Sequence, residues 1–165
     1  MILIALGSNL ASKAGKPAQT LNAALTHFVQ RQVHVVAVSP YYVTPAWPDP
    51  ADPSFVNAVA RVETGHGPAA LMNLLHETEM AFGRVRSVMN APRTLDLDLL
   101  DYEGRVEDGP PVLPHPRLAQ RAFVLVPLAA VAPDWRDPRT ARSVSDLLAA
   151  LPEAERAAVQ AISSA

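Results

Sequence analysis

Two carboxylates interrupt the otherwise apolar run PRTLDLDLL, Pro92 to Leu100. Side chains alternate faces along a strand, so Leu95, Leu97 and Leu99 point one way while Thr94, Asp96, Asp98 and Leu100 point the other. The two acids then share a face, roughly 6 to 7 Å apart along the chain, near enough to converge on a common cation or pair of cations. Without a cation they repel, and the competing reading is a half-buried strand with a solvated face. The neighbouring residues bear on that choice. Arg84, Arg86 and Arg93 fall within ten residues just upstream, in a chain with 14 Lys and Arg. Guanidinium groups suit bidentate capture of phosphate oxygens, and carboxylates beside them suit the Mg²⁺ that bridges such oxygens. Together they point to a nucleotide polyphosphate.

Two further groupings could act on the same ligand. The segment PHPRLAQRAF contributes His115, Arg117, Arg121 and Phe123, although alone it reads as a solvated basic loop. Asn57 shares a strand face with Phe55, and an amide beside an aromatic plane can hydrogen-bond and stack a flat heterocycle. Taken singly, such a pair is also an ordinary polar residue on an edge strand. Other chemistries lack their residues. ALGSNL is too short for a phosphate-binding loop and has no Lys, so it reads as a strand end followed by a turn. There is no HExxH and no Ser-His-Asp spacing, and the 5 histidines are scattered. With 0 cysteines, disulfides, thiolate metal sites and a thiol nucleophile are excluded.

The elements that must position these residues are legible from periodicity. Ile2 to Leu6 is a continuous apolar run suited to a strand buried on both faces, ended by the turn Gly7-Ser8-Asn9. From about Pro17, the spacing Leu21, Leu25, Phe28 is helical. Val33 to Thr44 reads as a second strand bent near Pro40, and Phe55 to Thr64 alternates as a third. Leu71, Leu74, Leu75, Thr78 and Phe82 predict a helix from Pro68 to Gly83, which makes His76 and Glu79 neighbours. The acid strand follows, then a hairpin through YEGR. Beyond it, RAFVLVPLAAVAP is ambiguous, and SVSDLLAALPEAERAAVQAI is helical with a break at Pro152 and Ser143 and Asp146 as a capping pair. The order strand, helix, strand, strand, helix, strand is an α+β, ferredoxin-like βαββαβ core with helices on one face and additional C-terminal elements.

The bulk properties agree with one domain over residues 1–165. Hydrophobic residues make up 49% and charged residues 18%, with a formal net charge of -2, so no broad basic surface for nucleic acid or anionic lipid is expected. The 16 prolines lie between the periodic segments. MILIALGSNL carries no basic leader, and its apolar run is far too short for a membrane span, so a cytoplasmic protein is expected.

At this point the sequence resembles the hydroxymethyl-dihydropterin pyrophosphokinase family of folate biosynthesis. The resemblance runs in order through ALGSNL, TPAW, FVNAVARVET, LLHETEMAFGRVR, APRTLDLDLL and LPHPRLAQRAFVLVPLAAVAP. It implies transfer of pyrophosphate from ATP, as co-substrate, to the hydroxymethyl oxygen of a dihydropterin, with release of AMP. Two Mg²⁺ ions would sit on Asp96 and Asp98. Thr44, Pro45, Trp47, Phe55, Asn57 and Phe123 would form the pterin pocket. Arg84 and Arg93 would stabilise the transferring charge, while His76, Glu79, Arg86, Leu99, His115 and Arg121 would serve ATP. The partners implied are these small molecules alone, and a monomer is expected.

Three places depart from that pattern. SVMNA, between Arg86 and Pro92, is shorter than usual and lacks an Arg-Trp pair, Pro110 replaces an ATP-contacting Arg, and Pro116 follows His115 where a Tyr is usual. Other readings of the same residues are a paralogue with another planar alcohol as acceptor or with weak activity, a ferredoxin-like binding module without catalysis, and a Mg²⁺ phosphohydrolase.

Overall fold

The first strand, β1 (Ile2–Ser8), is almost wholly buried because it lies inside the sheet with a helical layer over each face. The chain is described here from a computed structural model covering residues 1–85 and 89–162. After β1 come α1 (Pro17–Gln30), β2 (Val33–Val38), β3 (Tyr42–Thr44), β4 (Phe55–Thr64), α2 (Pro68–Ala81) and β5 (Asp96–Tyr102). Then follow α3 (Ala122–Val131), α4 (Val144–Ala149), α5 (Glu153–Ala157) and β6 (Gln160–Ala161). The strands run in the order β5-β1-β4-β3-β6, with β2 also on β4, and all the pairings are antiparallel. This is the expected ferredoxin-like α+β core.

The two faces of the sheet carry separate cores. On one, Leu21 and Phe28 of α1 and Leu71 and Leu75 of α2 pack on Ile4, Leu6, Ala60, Leu97 and Leu99. On the other, Leu3, Val59 and Leu100 meet Leu125 and Leu128 of α3, Trp135, and Val144 and Leu147 of α4. The ambiguous RAFVLVPLAAVAP segment is therefore mostly helix. Its Pro127 lies inside α3 and withholds only the bond that the Phe123 carbonyl would accept. Ser143 caps α4 as expected, its Oγ accepting from the Asp146 N–H at 3.1 Å.

Several sequence expectations need correction. β1 does not end at Gly7: Gly7 and Ser8 continue the ladder opposite Asn57 and Val56. The strand expected over Val33–Thr44 is two, divided where Ser39 takes the place of a ladder residue. The Ser39 N–H donates to Val59 O at 2.9 Å, its Oγ accepts from the Val59 N–H at 3.0 Å, and Pro40 has no N–H to offer. No hairpin follows β5. Glu103 (φ 53°) and Gly104 (φ 69°) turn the chain away, Glu107 and Leu113 close a loop on themselves, and Pro110 and Pro111 contribute no donors there. The chain returns only at His115, whose N–H donates to Leu100 O at 2.8 Å. The last expected helix stops at Ala157, because Gln160 and Ala161 instead cover the open edge of β3.

One irregularity in β5 lies toward the end of the strand away from Asp96. Its register against β1 shifts between Leu3 and Ile4, leaving Leu100 as an extra residue. Strict alternation would put Asp101 with Leu99 against α1 and α2, but the shift sends it to the α3–α4 side. There the Trp135 Nε1–H donates to Asp101 Oδ2 at 2.6 Å and the Gly104 N–H to Oδ1 at 2.8 Å. Asp101 is only 3% exposed, so each of these bonds matters. Trp135→Phe keeps the packing but leaves one carboxylate oxygen without its donor. A loss of roughly 1–3 kcal/mol is expected, read as a lower urea midpoint with an unchanged slope.

Candidate active site

The pairing of three strands sets the site. Gly7 of β1 lies opposite Asn57 of β4 on one side and Asp96 of β5 on the other, and two residues earlier Ala5 lies between Val59 and Asp98. Antiparallel neighbours are about 5 Å apart, so Asn57 and Asp96 occupy one short row across the sheet, and Asp98 lies two residues along on the same strand. The residue between them is small. A Cβ on Gly7 would stand 3.2 Å from Asn57 Oδ1 and 3.8 Å from both the Phe55 ring and Asp96 Cβ. The glycine thus leaves the floor between amide, aromatic ring and acid open. A glycine inside a strand signals such a close approach, and that was the clue in ALGSNL.

Asp96 is held by arginines. Arg84 Nη1 donates to Asp96 Oδ1 at 2.6 Å, and Arg93 Nη1 to Oδ2 at 3.3 Å. The same Arg84 nitrogen donates to Glu79 Oε1 at 2.6 Å, and that oxygen also accepts the Leu97 N–H at 2.7 Å. Glu79 therefore ties α2 to the backbone between the two acids. Burial would lower the pKa of Arg84, but Asp96 and Glu79 more than offset this and hold it above its ordinary value.

Asp98 faces a second basic pair. Its Oδ1 lies 3.9 Å from His115 Nε2, and its Oδ2 accepts from Arg121 Nη1 at 3.5 Å. Burial and the Asp96 charge raise the carboxyl pKa of Asp98, while burial lowers that of His115 against the pull of Asp98. Each acid is also linked through its arginine to an aromatic ring. Arg93 lies 5.8 Å from the Phe55 ring centroid and Arg121 5.5 Å from that of Phe123. The structure thus joins the acid, arginine and aromatic groups that were far apart in sequence.

The remaining expected residues are placed less evenly. Thr44 is buried on β3, where its Oγ1 accepts from Asn57 Nδ2 at 2.8 Å and so orients the amide. Pro45 is exposed and Trp47 is 72% exposed, both on the loop before β4. His76 is half-buried on α2. The Leu99 side chain packs in the α1–α2 core, so only its main chain could reach a ligand. Arg86, with Ser87 and Val88 of the shortened loop, lies outside the described residues. The flanking Val85 and Met89 are 81% and 85% exposed. Sequence reasoning missed Gly7 and the buried Asn9, both read as turn residues.

Glu79 offers a test of the buried end of this network. Burial pushes its carboxyl up to about 7, against the lowering effects of the Leu97 N–H and Arg84. A raised folded-state value means that the protonated side chain favours the fold. That contribution is complete below about pH 4.5 and is lost as pH rises through about 7. Glu79→Gln removes the titration and keeps an acceptor for Leu97. Relative to this variant, the wild type should lose about 3 kcal/mol of stability across that window. Urea unfolding of both proteins from pH 4 to 8 reads it, and a constant difference would show that the Leu97 N–H and Arg84 fully cancel the effect of burial on Glu79.

Comparison with known proteins bears on this arrangement. The family 7,8-dihydro-6-hydroxymethylpterin-pyrophosphokinase (HPPK) matches residues 3–133, which include every site residue described above. A Pseudomonas aeruginosa relative, 2-amino-4-hydroxy-6-hydroxymethyldihydropteridine pyrophosphokinase, is 42% identical over 153 residues, covering 92% of this chain and 91% of its own. A protein of the same name from Methylorubrum extorquens is 42% identical over 133 residues, covering 79% of this chain and 82% of its own. Among solved structures, Plasmodium falciparum HPPK-DHPS wild type superposes with a TM-score of 0.64 at 12% identity. That match covers 90% of this chain and 44% of the parasite chain, and at such identity it shows the shared fold. By sequence over most of its length and by fold, the chain belongs to the 7,8-dihydro-6-hydroxymethylpterin-pyrophosphokinase family.

Proposed function

We propose that the protein transfers the β,γ-pyrophosphoryl group of ATP to the hydroxymethyl oxygen of 6-hydroxymethyl-7,8-dihydropterin, releasing AMP, as a step of folate biosynthesis. The observation that carries this reading is the row Asn57, Gly7, Asp96, which puts a heterocycle-reading amide beside a carboxylate pair ringed by arginines. In the reaction the acceptor oxygen bonds the β-phosphorus as its proton passes to solvent. The bond from that phosphorus to the α-phosphate oxygen breaks, and the electron pair leaves on AMP.

The acid pair fits Mg²⁺. Burial and mutual repulsion raise the pKa of Asp98, a cost that a divalent cation between the carboxylates relieves. Among the described residues no group of three or more His, Asp or Glu forms a metal cage. Mg²⁺ on nucleotides is commonly held by one or two carboxylates, with phosphate oxygens and water completing six ligands, so two acids suffice for one ion or for two sharing them. When bound, Mg²⁺ supplies electrostatic stabilisation of the charge that develops on the phosphates.

The protein's own groups divide the remaining work. Arg84 and Arg93, already at Asp96, would stabilise the transferring phosphates, and Arg121 and His115 at Asp98 would serve the rest of ATP along with Arg86, His76 and the Leu99 main chain. Phe55 and Phe123 would stack the pterin while Asn57, oriented by Thr44, reads its amide edge and Pro45 and Trp47 close the side.

The deciding experiment measures AMP formed from ATP and Mg²⁺ with and without the dihydropterin. AMP that depends on the pterin supports the assignment, whereas ATP cleavage to phosphate without pterin would support a phosphohydrolase instead. Asp96→Ala and Asp98→Ala should each lower the pterin-dependent rate on the order of a hundred- to thousandfold, with circular dichroism unchanged. Wild-type turnover in either would sink the metal assignment. Asn57→Ala should weaken pterin binding roughly tenfold and leave nucleotide affinity in place, as calorimetry would show.

A further inference from the structure

Asn9 stands just beyond β1 and is 4% exposed, although an asparagine after Gly-Ser is typical of an open turn. Its side chain bridges two loops. Nδ2 donates to Pro53 O at 3.0 Å, and Oδ1 accepts the Arg93 N–H at 2.7 Å. The carbonyl of Arg93 is taken as well, by the Asn9 N–H at 3.1 Å and the Leu10 N–H at 3.2 Å. Both main-chain groups of Arg93 are therefore fixed from the end of β1. Its guanidinium then reaches Asp96 and the face of Phe55.

Pro53 and Arg93 belong to different halves of the site. Pro53 ends the loop that leads into Phe55 and Asn57, and Arg93 ends the loop that leads into Asp96 and Asp98. Only a side chain with one donor and one acceptor on a short planar head satisfies both partners. The partners also fix its orientation, since an N–H requires the oxygen and a carbonyl requires the amino group.

Resting on the pyrophosphokinase reading, we propose that Asn9 is a positioning residue that couples the acceptor-binding loop to the phosphate-binding loop. It touches neither substrate. Through Pro53 it sets where Phe55 presents its ring, and through Arg93 it sets where the guanidinium meets the transferring phosphates.

Two substitutions separate the halves. Asn9→Asp keeps an oxygen for the Arg93 N–H but has no donor for Pro53 O, so the KM for the dihydropterin should rise roughly three- to tenfold while the KM for ATP holds. Asn9→Ala loses both bonds, and kcat should also fall, by about a hundredfold if Arg93 shifts by an ångström. A residue that only stabilised the fold would lower melting temperature and active fraction together, with both KM values unmoved. That result, or identical kinetics in the two variants, would overturn the proposal.

Amide hydrogen exchange on the ligand-free proteins gives a readout that does not require activity, and Asn9→Asp supplies it should Asn9→Ala fail to fold. Faster exchange confined to residues 45–55 in Asn9→Asp, extending to 89–95 in Asn9→Ala, supports the coupling. Unchanged exchange in Asn9→Asp overturns it. If the wild type forms no AMP, the functional reading falls, and the exchange experiment still decides whether Asn9 joins the loops.

Discussion

Two carboxylates side by side on one strand repel each other, and the site end of this molecule is organised around that repulsion. β5 can hold Asp96 and Asp98 on a common face because each is met by cations from other elements: Arg84 and Arg93 at the first, Arg121 and His115 at the second. These cations come from the end of α2, the loop before β5, the long loop after β5 and the start of α3. Arg84 and Arg93 lie at the two ends of one connection, so balancing one strand's charge requires that connection, the loop after β5 and the start of α3 to converge. In the proposed reaction this convergence would place phosphate-binding groups together before any phosphate arrives.

The sheet brings Asn57 to the acids as the charges bring the arginines. Because β1 pairs with β4 on one side and β5 on the other, Asn57 and Asp96 are brought opposite the same residue, Gly7, although they are far apart in the chain. A ferredoxin-like order guarantees this adjacency, since its first strand lies between the third and the last. The C-terminal additions complete the design from the other face. α3 carries Phe123, and the Trp135–Asp101 bond anchors the segment after α3 to the far end of the acid strand.

What could be read in the sequence was what strict periodicity records. β4 is found at the expected bounds because FVNAVARVET alternates without a break, and α1 and α2 begin at their prolines. The acid pair was legible for the same reason, as alternation puts Asp96 and Asp98 on one face. Features decided by a distant partner were not legible. Asp101 changes sides because of an extra residue in β5, which only the register with β1 reveals. β6 is two residues long and exists because β3 has an edge to cover. Gly7 and Asn9 looked like turn residues because nothing local shows that one clears space for Asn57 and the other is buried between two loops.

The arginine network also indicates which contacts can be exchanged for a ligand. Arg84 holds two carboxylates at the same distance, yet Glu79 is 3% exposed and Asp96 29%. An ion pair open to water is worth little, because solvation competes with it, whereas an uncompensated charge beside a buried carboxylate is costly. A cation at Asp96 therefore competes with the weaker of the two pairs. Arg84 keeps its bond to Glu79, whose oxygen is in turn fixed by the Leu97 N–H. In the proposed reaction the guanidinium would then remain beside the site with donors free for phosphate oxygens. In the proposed reaction Glu79 would be the anchor that keeps Arg84 in place when the acids are occupied.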